Sequence, residues 1–318
     1  TKYNESYLSE SKDTYNTMGN SILLQLRRSE EHHPFIAPDW AYHFTDDDFN
    51  YETPKSTIPG QKFNYKIIWR AEDNNFWWVE CSGAKFDTIF DANEIQFELK
   101  RIAYGIWEYM KNHPDGRAKD FDLDWIGSLP GKRESTRFVG PYTLTQDDIV
   151  SGGHFEDAVA YGGWTLDDHH PGGFMNKGLA PIESKVNQGY GIPFDCLYSV
   201  NVPNLMFAGR NISCSHMAFS GTRVMATCAL IGQAVGTAAD MILDKGTTPA
   251  GLRANHIREL QDALEDADCM LPYRWRKVSP LTLSARTAAE NEPMRNGIDR
   301  EWAGQDNGVY VLPGEGNL

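Results

Sequence analysis

Apolar residues are most concentrated between Asn201 and Gly246, where their pattern predicts one strand and one long helix. Leu205 to Ala208 form a short apolar run after a proline, which is typical of a strand buried on both faces of a mostly parallel sheet. From about Ala218 to Lys245 the chain has no proline and is rich in alanine, leucine and methionine. We therefore predict one continuous helix, which Gly246 ends.

Other stretches predict the remaining elements of a mixed fold. Apolar residues recur at helical spacing in two places: Ile95, Leu99, Ile102 and Ile106 in the first, and Ile257, Leu260 and Leu264 in the second. Residues 63–69 alternate between apolar and polar side chains, and a second strand-like run follows a polar turn at residues 76–81. These two runs predict a β-hairpin. Strands and helices together favour the α/β class.

Composition restricts the classes of function. With 318 residues, of which 41% are hydrophobic, the chain can bury a sizeable core. A net charge of −14 opposes nonspecific binding to nucleic acid or to an anionic membrane surface, since both need a basic patch. Five scattered cysteines without a C-x-x-C pair indicate neither a disulfide framework nor a zinc site. We therefore expect a small or neutral substrate.

The long predicted helix is distinguished by its small residues and by its polar amino end. Gly221, Gly232 and Gly236 and several alanines leave little side-chain bulk on its faces, so a neighbouring element should approach closely. The uncharged run from Val224 to Ala239 is shorter than the ~20 residues of a membrane span. The segment leading into the helix has hydroxyl groups, an imidazole and a guanidinium: Ser213, Ser215, His216, Ser220, Thr222 and Arg223. Near a positive helix end, these groups predict a site for an anion or for the electron-rich edge of a heterocycle.

Two carboxylates and two imidazoles follow one another from Asp167 to His170. Adjacent side chains of an extended segment point to opposite faces, which argues against one metal site. An imidazole that titrates near neutral pH could instead accept a hydroxyl proton while a hydride leaves the same carbon. A purely structural role for the motif remains open.

A second charged segment, Lys132 to Arg137, contains Arg133 and Glu134 and follows Pro130 and Gly131. Its composition alone is that of a solvated surface loop.

Several linked motifs resemble the FAD-dependent oxidoreductase family, which is widespread in bacteria and often encoded beside polysaccharide-degrading genes. They are LPGKRESTRFVGPYTLTQDDI, FEDAVAYGGWTLDDHHP, IPFDCLYSVNVPNLMFAGR with NIS, and TRVMATCALIGQAVGTAA, which lie in that order between Asp87 and Arg276. The resemblance implies FAD as the cofactor. It also implies that His169 is the catalytic base, that Asp167 orients it, and that Arg133 and Glu134 form a pair that orders a loop near the flavin.

The resemblance also assigns residues to the cofactor. Backbone N–H groups between Ser213 and Met225 would face the flavin N1–C2=O2 edge, and Gly209 would let the backbone pass the ribityl chain. Arg210 stands where two-domain flavoproteins often have an acid, so a phosphate contact is an equal possibility. The residues expected to bind FAD are Gly209, Arg210, Asn211, Ser213, Gly221, Thr222, Arg223, Val224 and Met225.

A G-x-G-x-x-G turn, which a Rossmann-type FAD site uses near the pyrophosphate, does not occur in the sequence. We therefore expect a carboxy-terminal portion of a larger enzyme that works with an N-terminal FAD-binding segment or chain. The expected domains are a substrate domain of α+β type at 1–195, the returning strand and helix of a Rossmann-like FAD domain at 196–246, and a helix followed by a β-rich segment at 247–318. The chain begins at Thr1 rather than Met, so we expect a soluble protein of the cytoplasm, or of the periplasm if an upstream leader has been removed.

Three functions remain open from the sequence. The first is hydride transfer to FAD from a CH–OH group of a small, carbohydrate-like substrate. The second is a flavin-free lyase or hydrolase acting on carbohydrate through Asp167, Asp168, His169 and His170. The third is a subunit that is inactive until a nucleotide-binding chain joins it.

Overall fold

The computed structural model describes residues 17–49, 75–83, 85–169, 171–175, 182–184, 186 and 189–274. Its strands are β1 (Thr17–Arg28), β2 (Asn75–Gly83), β3 (Phe121–Ile126), β4 (Ala158–Gly162), β5 (Leu166–Asp168), β6 (Ile182–Ser184) and β7 (Tyr190–Pro193). Its helices are α1 (Asp46–Phe49), α2 (Ala92–Asn112), α3 (Gln146–Val150), α4 (His216–Thr222), α5 (Met225–Lys245), α6 (Pro249–Asn255) and α7 (Ile257–Asp266). The mixture confirms the predicted α/β class.

One hydrophobic cluster lies between a three-stranded antiparallel sheet and helix α2. The strand order is β2-β1-β3, with β1 in the centre. Ile95, Leu99, Ile102 and Ile106, which predicted the helix, are all buried in this cluster. Trp107 is also buried here, at 1% exposure. Helix α2 therefore covers one face of the sheet, as its spacing requires.

A second hydrophobic cluster lies between the two-stranded antiparallel β4–β7 sheet and helices α4, α5 and α7. Ile257, Leu260 and Leu264 are buried in it, which confirms the second predicted helix as α7. Residues on both sides of the predicted boundaries at 195 and 246 belong to this cluster. The domain boundaries themselves remain predictions.

The segment from Leu205 to Ala208 corrects the predicted buried strand. Its ladder contact is an isolated antiparallel bridge between Met206 and Tyr198, and Phe207 is the buried member of the run. Leu205 is 38% exposed. An apolar run becomes a central strand only when strands flank it on both sides, and none does so within the described residues.

The predicted continuous helix is two helices. Helix α4 ends at Thr222, and α5 starts at Met225 after Val224, whose ψ of 147° is extended. Gly246 ends α5 in the left-handed region, with φ 58°, as predicted. The break places Arg223 at a corner between the two helices, so its side chain can extend away from both of them.

The second run of the predicted hairpin, residues 76–81, lies in β2 and pairs with β1. The first run, residues 63–69, lies outside the described residues.

Candidate active site

Strand β5 divides the acidic residues of the Asp167 to His170 motif between two environments. Its ladder with β6 makes the backbone extended, so Asp167 and Asp168 point to opposite faces, as the sequence predicted. Asp168 is 1% exposed, whereas Asp167 is only partly buried. His170 lies outside the described residues. The motif therefore contributes to two different sites rather than to one cluster.

On the open face, Asp167 binds both His169 and Arg223. Its Oδ2 atom lies 3.2 Å from His169 Nε2 and accepts from Arg223 Nη2 at 3.1 Å. Arg223 also donates to the main-chain carbonyl of Asp167 at 3.3 Å. The corner between α4 and α5 thus directs a guanidinium onto the carboxylate that contacts His169, the predicted base.

Electrostatics keep Asp167 ionised. Burial alone would raise the pKa of this carboxyl, but the hydrogen bond from His169 and the charge of Arg223 outweigh burial and hold the pKa below its ordinary value. The charge of Arg133 acts in the same direction. An ionised carboxylate on Nε2 favours the tautomer with its proton there, which leaves the lone pair on Nδ1 of His169.

Two further predicted residues, Arg133 and Arg210, are joined to each other by a hydrogen bond. Arg133 donates to the Gly19 carbonyl at 3.3 Å and to the Ser21 hydroxyl, both on β1. Arg210 in turn donates from Nη1 to the Arg133 carbonyl at 2.9 Å. Asp167, His169 and Arg223 are thus in direct contact, the charge of Arg133 also acts on Asp167, and Arg210 contacts Arg133. These five residues come from four separate stretches of the chain.

Behind β5 lies a buried chain of charges that the sequence analysis did not predict. His216 Nδ1 lies 2.9 Å from Glu134 Oε1, and His216 Nε2 lies 2.8 Å from Asp168 Oδ1. Glu134 also forms an ion pair with Arg137 and accepts from the Met18 N–H at 2.9 Å. Arg137 thus supplies the guanidinium beside Glu134, whereas Arg133 donates to β1, which differs from the expected Arg133–Glu134 pair.

The buried chain fixes the protonation of His216. Burial alone would lower its pKa, but the hydrogen bonds to Asp168 and Glu134 outweigh burial and raise the pKa to about 9. Both ring nitrogens are therefore donors at neutral pH, and His216 cannot act as a base there. It joins α4 to β5 and to the loop of Glu134, and so positions Asp167 on the other face of β5. Each member belongs to a charged motif, but only the fold shows which ones are buried together.

Three of the residues predicted to bind cofactor are buried within the protein. Ser213 is 1% exposed and its hydroxyl lies 3.3 Å from that of Thr143. Thr222 is fully buried and its hydroxyl donates to the Ala218 carbonyl at 3.1 Å. Gly221 is close to Tyr190, because a Cβ atom added there would lie 3.0 Å from the tyrosine hydroxyl. Internal packing accounts for the small size of Gly221.

The other residues predicted to bind cofactor lie at the surface near the start of α5. They are Gly209, Arg210, Asn211, Arg223, Val224 and Met225, and each is at least partly exposed. Gly209 has φ 95°, which favours glycine, and among the described residues the nearest atom to an added Cβ is Oδ1 of Asn211, 3.8 Å away. Room for a ligand beside the backbone therefore exists at this position.

The start of α5 has the donors that a flavin edge needs. No side chain caps the helix at Val224, and Met225 is 88% exposed. The first N–H groups of any helix have no intrahelical acceptor, and the helix dipole is positive there. An acceptor that gains negative charge, such as the N1–C2=O2 edge of a flavin, fits this end of α5.

Much of α5 is uncovered. Its buried residues, Thr227, Ile231, Ala234 and Ala238, form one narrow stripe. Gly232 and Gly236 have nothing within 4 Å of an added Cβ atom, and Leu243 is 81% exposed. By length and composition α5 could also cross a membrane, and 22% of its apolar window is buried. The predicted close neighbour of these glycines is thus not found among the described residues.

Comparison with known proteins gives one family. A family model described as FAD dependent oxidoreductase matches residues 6–264, which include every residue of the site described above. No curated protein and no solved structure matched the chain. Within the described residues, no group of three or more histidine, cysteine, aspartate or glutamate side chains is placed to hold a metal ion.

Proposed function

Since the chain belongs to the FAD dependent oxidoreductase family, we propose that it oxidises a CH–OH group of a small, carbohydrate-like substrate. The contact of Asp167 with both His169 and Arg223 carries this proposal, because oxidation of an alcohol needs a base that removes the hydroxyl proton. Trp164 is 40% exposed and lies two residues before β5. An exposed indole face suits the apolar C–H face of a sugar ring.

FAD, when bound, would supply the acceptor for the hydride that leaves the carbon of the CH–OH group. We assign its flavin edge to the N–H groups that follow Val224, and its ribityl and phosphate groups to the surface formed by Gly209, Arg210 and Asn211. Gly221 and Thr222 form part of the wall behind the start of α5. These assignments rest on the exposure of the first set and the burial of the second.

The side chains of the chain itself perform the proton transfer. His169 accepts the hydroxyl proton at Nδ1, and Asp167 holds the ring and stabilises the imidazolium that results. Arg223 keeps Asp167 ionised and restricts its rotation through two hydrogen bonds. Because Asp168 is occupied by His216, the four-residue motif does not act as one open cluster, which favours this function over a flavin-free lyase.

The uncovered face of α5 supports a second part of the proposal, an N-terminal FAD-binding segment or separate chain that packs on it. No described residue lies within 4 Å of a Cβ atom added at Gly232 or Gly236, so a sheet or helix could approach the backbone of α5 closely. Covering Met225 and Leu243 would also remove two large apolar side chains from water. This partner would complete the flavin site at the start of the same helix.

A single substitution tests the base. His169→Asn should bind FAD normally. A panel of sugars and sugar acids should reduce its flavin about 100-fold more slowly or slower still, because a general base contributes about 10²–10⁴-fold to the rate. His154→Asn is the matched control, since His154 stacks on Tyr273 away from Asp167. The readout is loss of the visible absorption of oxidised flavin under anaerobic conditions. Undiminished reduction in His169→Asn would remove His169 from the mechanism.

A further inference from the structure

Strand β5 belongs to a very small sheet. It contains three residues, and its ladder with β6 has three residue pairs. Within the described residues, this sheet contains no third strand. A two-stranded ladder is at best marginally stable by itself in water. The orientation of β5, and with it the direction of its two carboxylates, therefore depends on side-chain contacts from other elements.

Helix α4 lies against β5, and Gly221 allows the two elements to approach closely. A Cβ atom added at Gly221 would lie 3.4 Å from the Thr165 carbonyl oxygen and 3.5 Å from Cδ2 of Leu166. The helix and the beginning of the strand are thus in close contact, and close packing transmits small displacements. The position of β5 is therefore coupled to that of α4.

The two ends of α4 contact the two carboxylates of β5. At the first residue of the helix, Nε2 of His216 lies 2.8 Å from Oδ1 of Asp168, on the buried face of the strand. At the last turn, the C-cap residue Arg223 donates to Oδ2 of Asp167 at 3.1 Å and to its main-chain carbonyl at 3.3 Å, on the open face. Seven helical residues are about 10 Å long, so one short helix reaches both faces of the strand.

The contact on the buried face is the one shielded from water. Asp168 is 1% exposed and His216 is 7% exposed. The other ring nitrogen of His216 lies 2.9 Å from Glu134, which also contacts Arg137 and the Met18 N–H. Rotation of β5 would separate two buried opposite charges, which is more costly than separating two charges at the surface. The buried pair therefore restricts the rotation of β5 about its own axis.

We propose that α4 holds β5 from both faces, and that the buried contact of His216 with Asp168 keeps Asp167 on the ring of His169. His216 is then a positioning residue for the proton transfer, because it acts through β5 and Asp167 and does not touch the substrate. Its part in the reaction rests on the proposed function. The contact that it maintains, between Asp167 and His169, can be measured without FAD or substrate.

Asp168→Asn tests this arrangement, because it removes the buried charge and keeps the shape of the side chain. The measurement is NMR of the full chain without FAD at constant neutral pH, with the ring signals of His169 identified by their loss in His169→Asn. In Asp168→Asn these signals should move from their wild-type positions towards those in Asp167→Asn, along the line that joins the two. Movement along this line measures the fraction of molecules in which Asp167 has left the ring.

Asp157→Asn is the matched control for the loss of a buried carboxylate. Asp157 is 4% exposed, but its carboxylate contacts Arg253 at 3.1 Å and the Asp195 N–H at 3.0 Å, away from His216. In this variant the signals of His169 should stay at their wild-type positions. His216→Gln should displace the same signals in the same direction as Asp168→Asn, which keeps the proposal testable if Asp168→Asn does not fold.

The pH dependence of flavin reduction is a readout that a purely structural role would not change. Burial lowers the pKa of His216, but the hydrogen bonds to Asp168 and Glu134 outweigh burial and raise the pKa to about 9. In the wild type, kcat should therefore decline as the pH rises through about 9. Asp168→Asn removes one group that raises this pKa, so its decline should begin at lower pH. At neutral pH its kcat should be about tenfold lower or less, with KM and FAD affinity unchanged.

Two results would overturn the proposal. One is that the signals of His169 in Asp168→Asn stay at their wild-type positions or move only off the line. The other is an alkaline decline of kcat at the same pH in both proteins. If no substrate reduces the flavin while the signals of His169 move along the line, the proposed reaction fails and the positioning role of His216 stands.

Discussion

The charge on His216 should make the stability of the fold decrease as the pH rises above neutrality. The imidazolium donates to Glu134 at 2.9 Å and to Asp168 at 2.8 Å, and its pKa is raised from 6.5 to about 9. A group whose pKa is higher in the folded state stabilises that state fully below its unfolded pKa. The contribution of His216 is therefore complete below about pH 6.5 and is lost as the pH rises through about 9.

The magnitude follows from the size of the shift. A rise from 6.5 to about 9 corresponds to about 3 kcal/mol of folding free energy, at about 1.4 kcal/mol for each unit of pKa. This is a substantial part of the roughly 5–15 kcal/mol that stabilises a typical protein. Between about pH 6.5 and 9, the free energy of unfolding should fall by about 1.4 kcal/mol for each pH unit from this group alone.

Urea unfolding at several pH values between about 6 and 9.5 measures this slope. His216→Gln is the comparison, because an amide can still donate to one carboxylate but does not titrate. Burial also raises the pKa of the Cys196 thiol, which contributes in the same direction at alkaline pH in both proteins. The difference between the two curves therefore isolates His216. Parallel curves would refute the argument that His216 is a buried imidazolium.

Three further predictions concern close packing, the open face of α5 and the orienting carboxylate. Gly140→Ala should lower the free energy of unfolding by about 1–3 kcal/mol, since its Cβ would lie 2.5 Å from the Asp195 carbonyl oxygen. Gly163→Ala is the control in the same urea assay, because no described atom lies within 4 Å of a Cβ added there. Gly236→Ala should stabilise the chain by about 0.5–1 kcal/mol, because it adds a helix former in open space; loss of stability by calorimetry would show a hidden contact. Asp167→Asn should slow substrate-driven flavin reduction about 100-fold in stopped-flow measurements while FAD affinity is unchanged, and an equal rate would show that the carboxylate does not orient the base.

Sequence patterns predicted the elements that depend mainly on residues near one another in the chain. Helices α2 and α7 follow from apolar spacing that buries one face, and the end of α5 follows from a glycine that adopts positive φ. The opposite directions of Asp167 and Asp168 follow from the period of two in any extended segment.

The features that the sequence did not predict depend on distant partners. The break at Val224 has no proline or glycine beside it, but there Arg223 reaches Asp167, and Cys228 Sγ lies 3.5 Å from the Arg223 carbonyl. Leu205 lies in a run that has the pattern of a central strand, but no strand flanks this run on both sides within the described residues. The ion network of His216 joins three stretches far apart in sequence, and no periodicity encodes which charges meet.

FAD should bind at the surface between Gly209 and the start of α5. The most direct measurement is the visible absorption spectrum of the purified protein after FAD titration and gel filtration, together with the masses of all chains that elute with it. The account predicts flavin that co-elutes with the protein, in about one equivalent per chain once any nucleotide-binding partner is present. FAD that elutes entirely free from the complete assembly would contradict it.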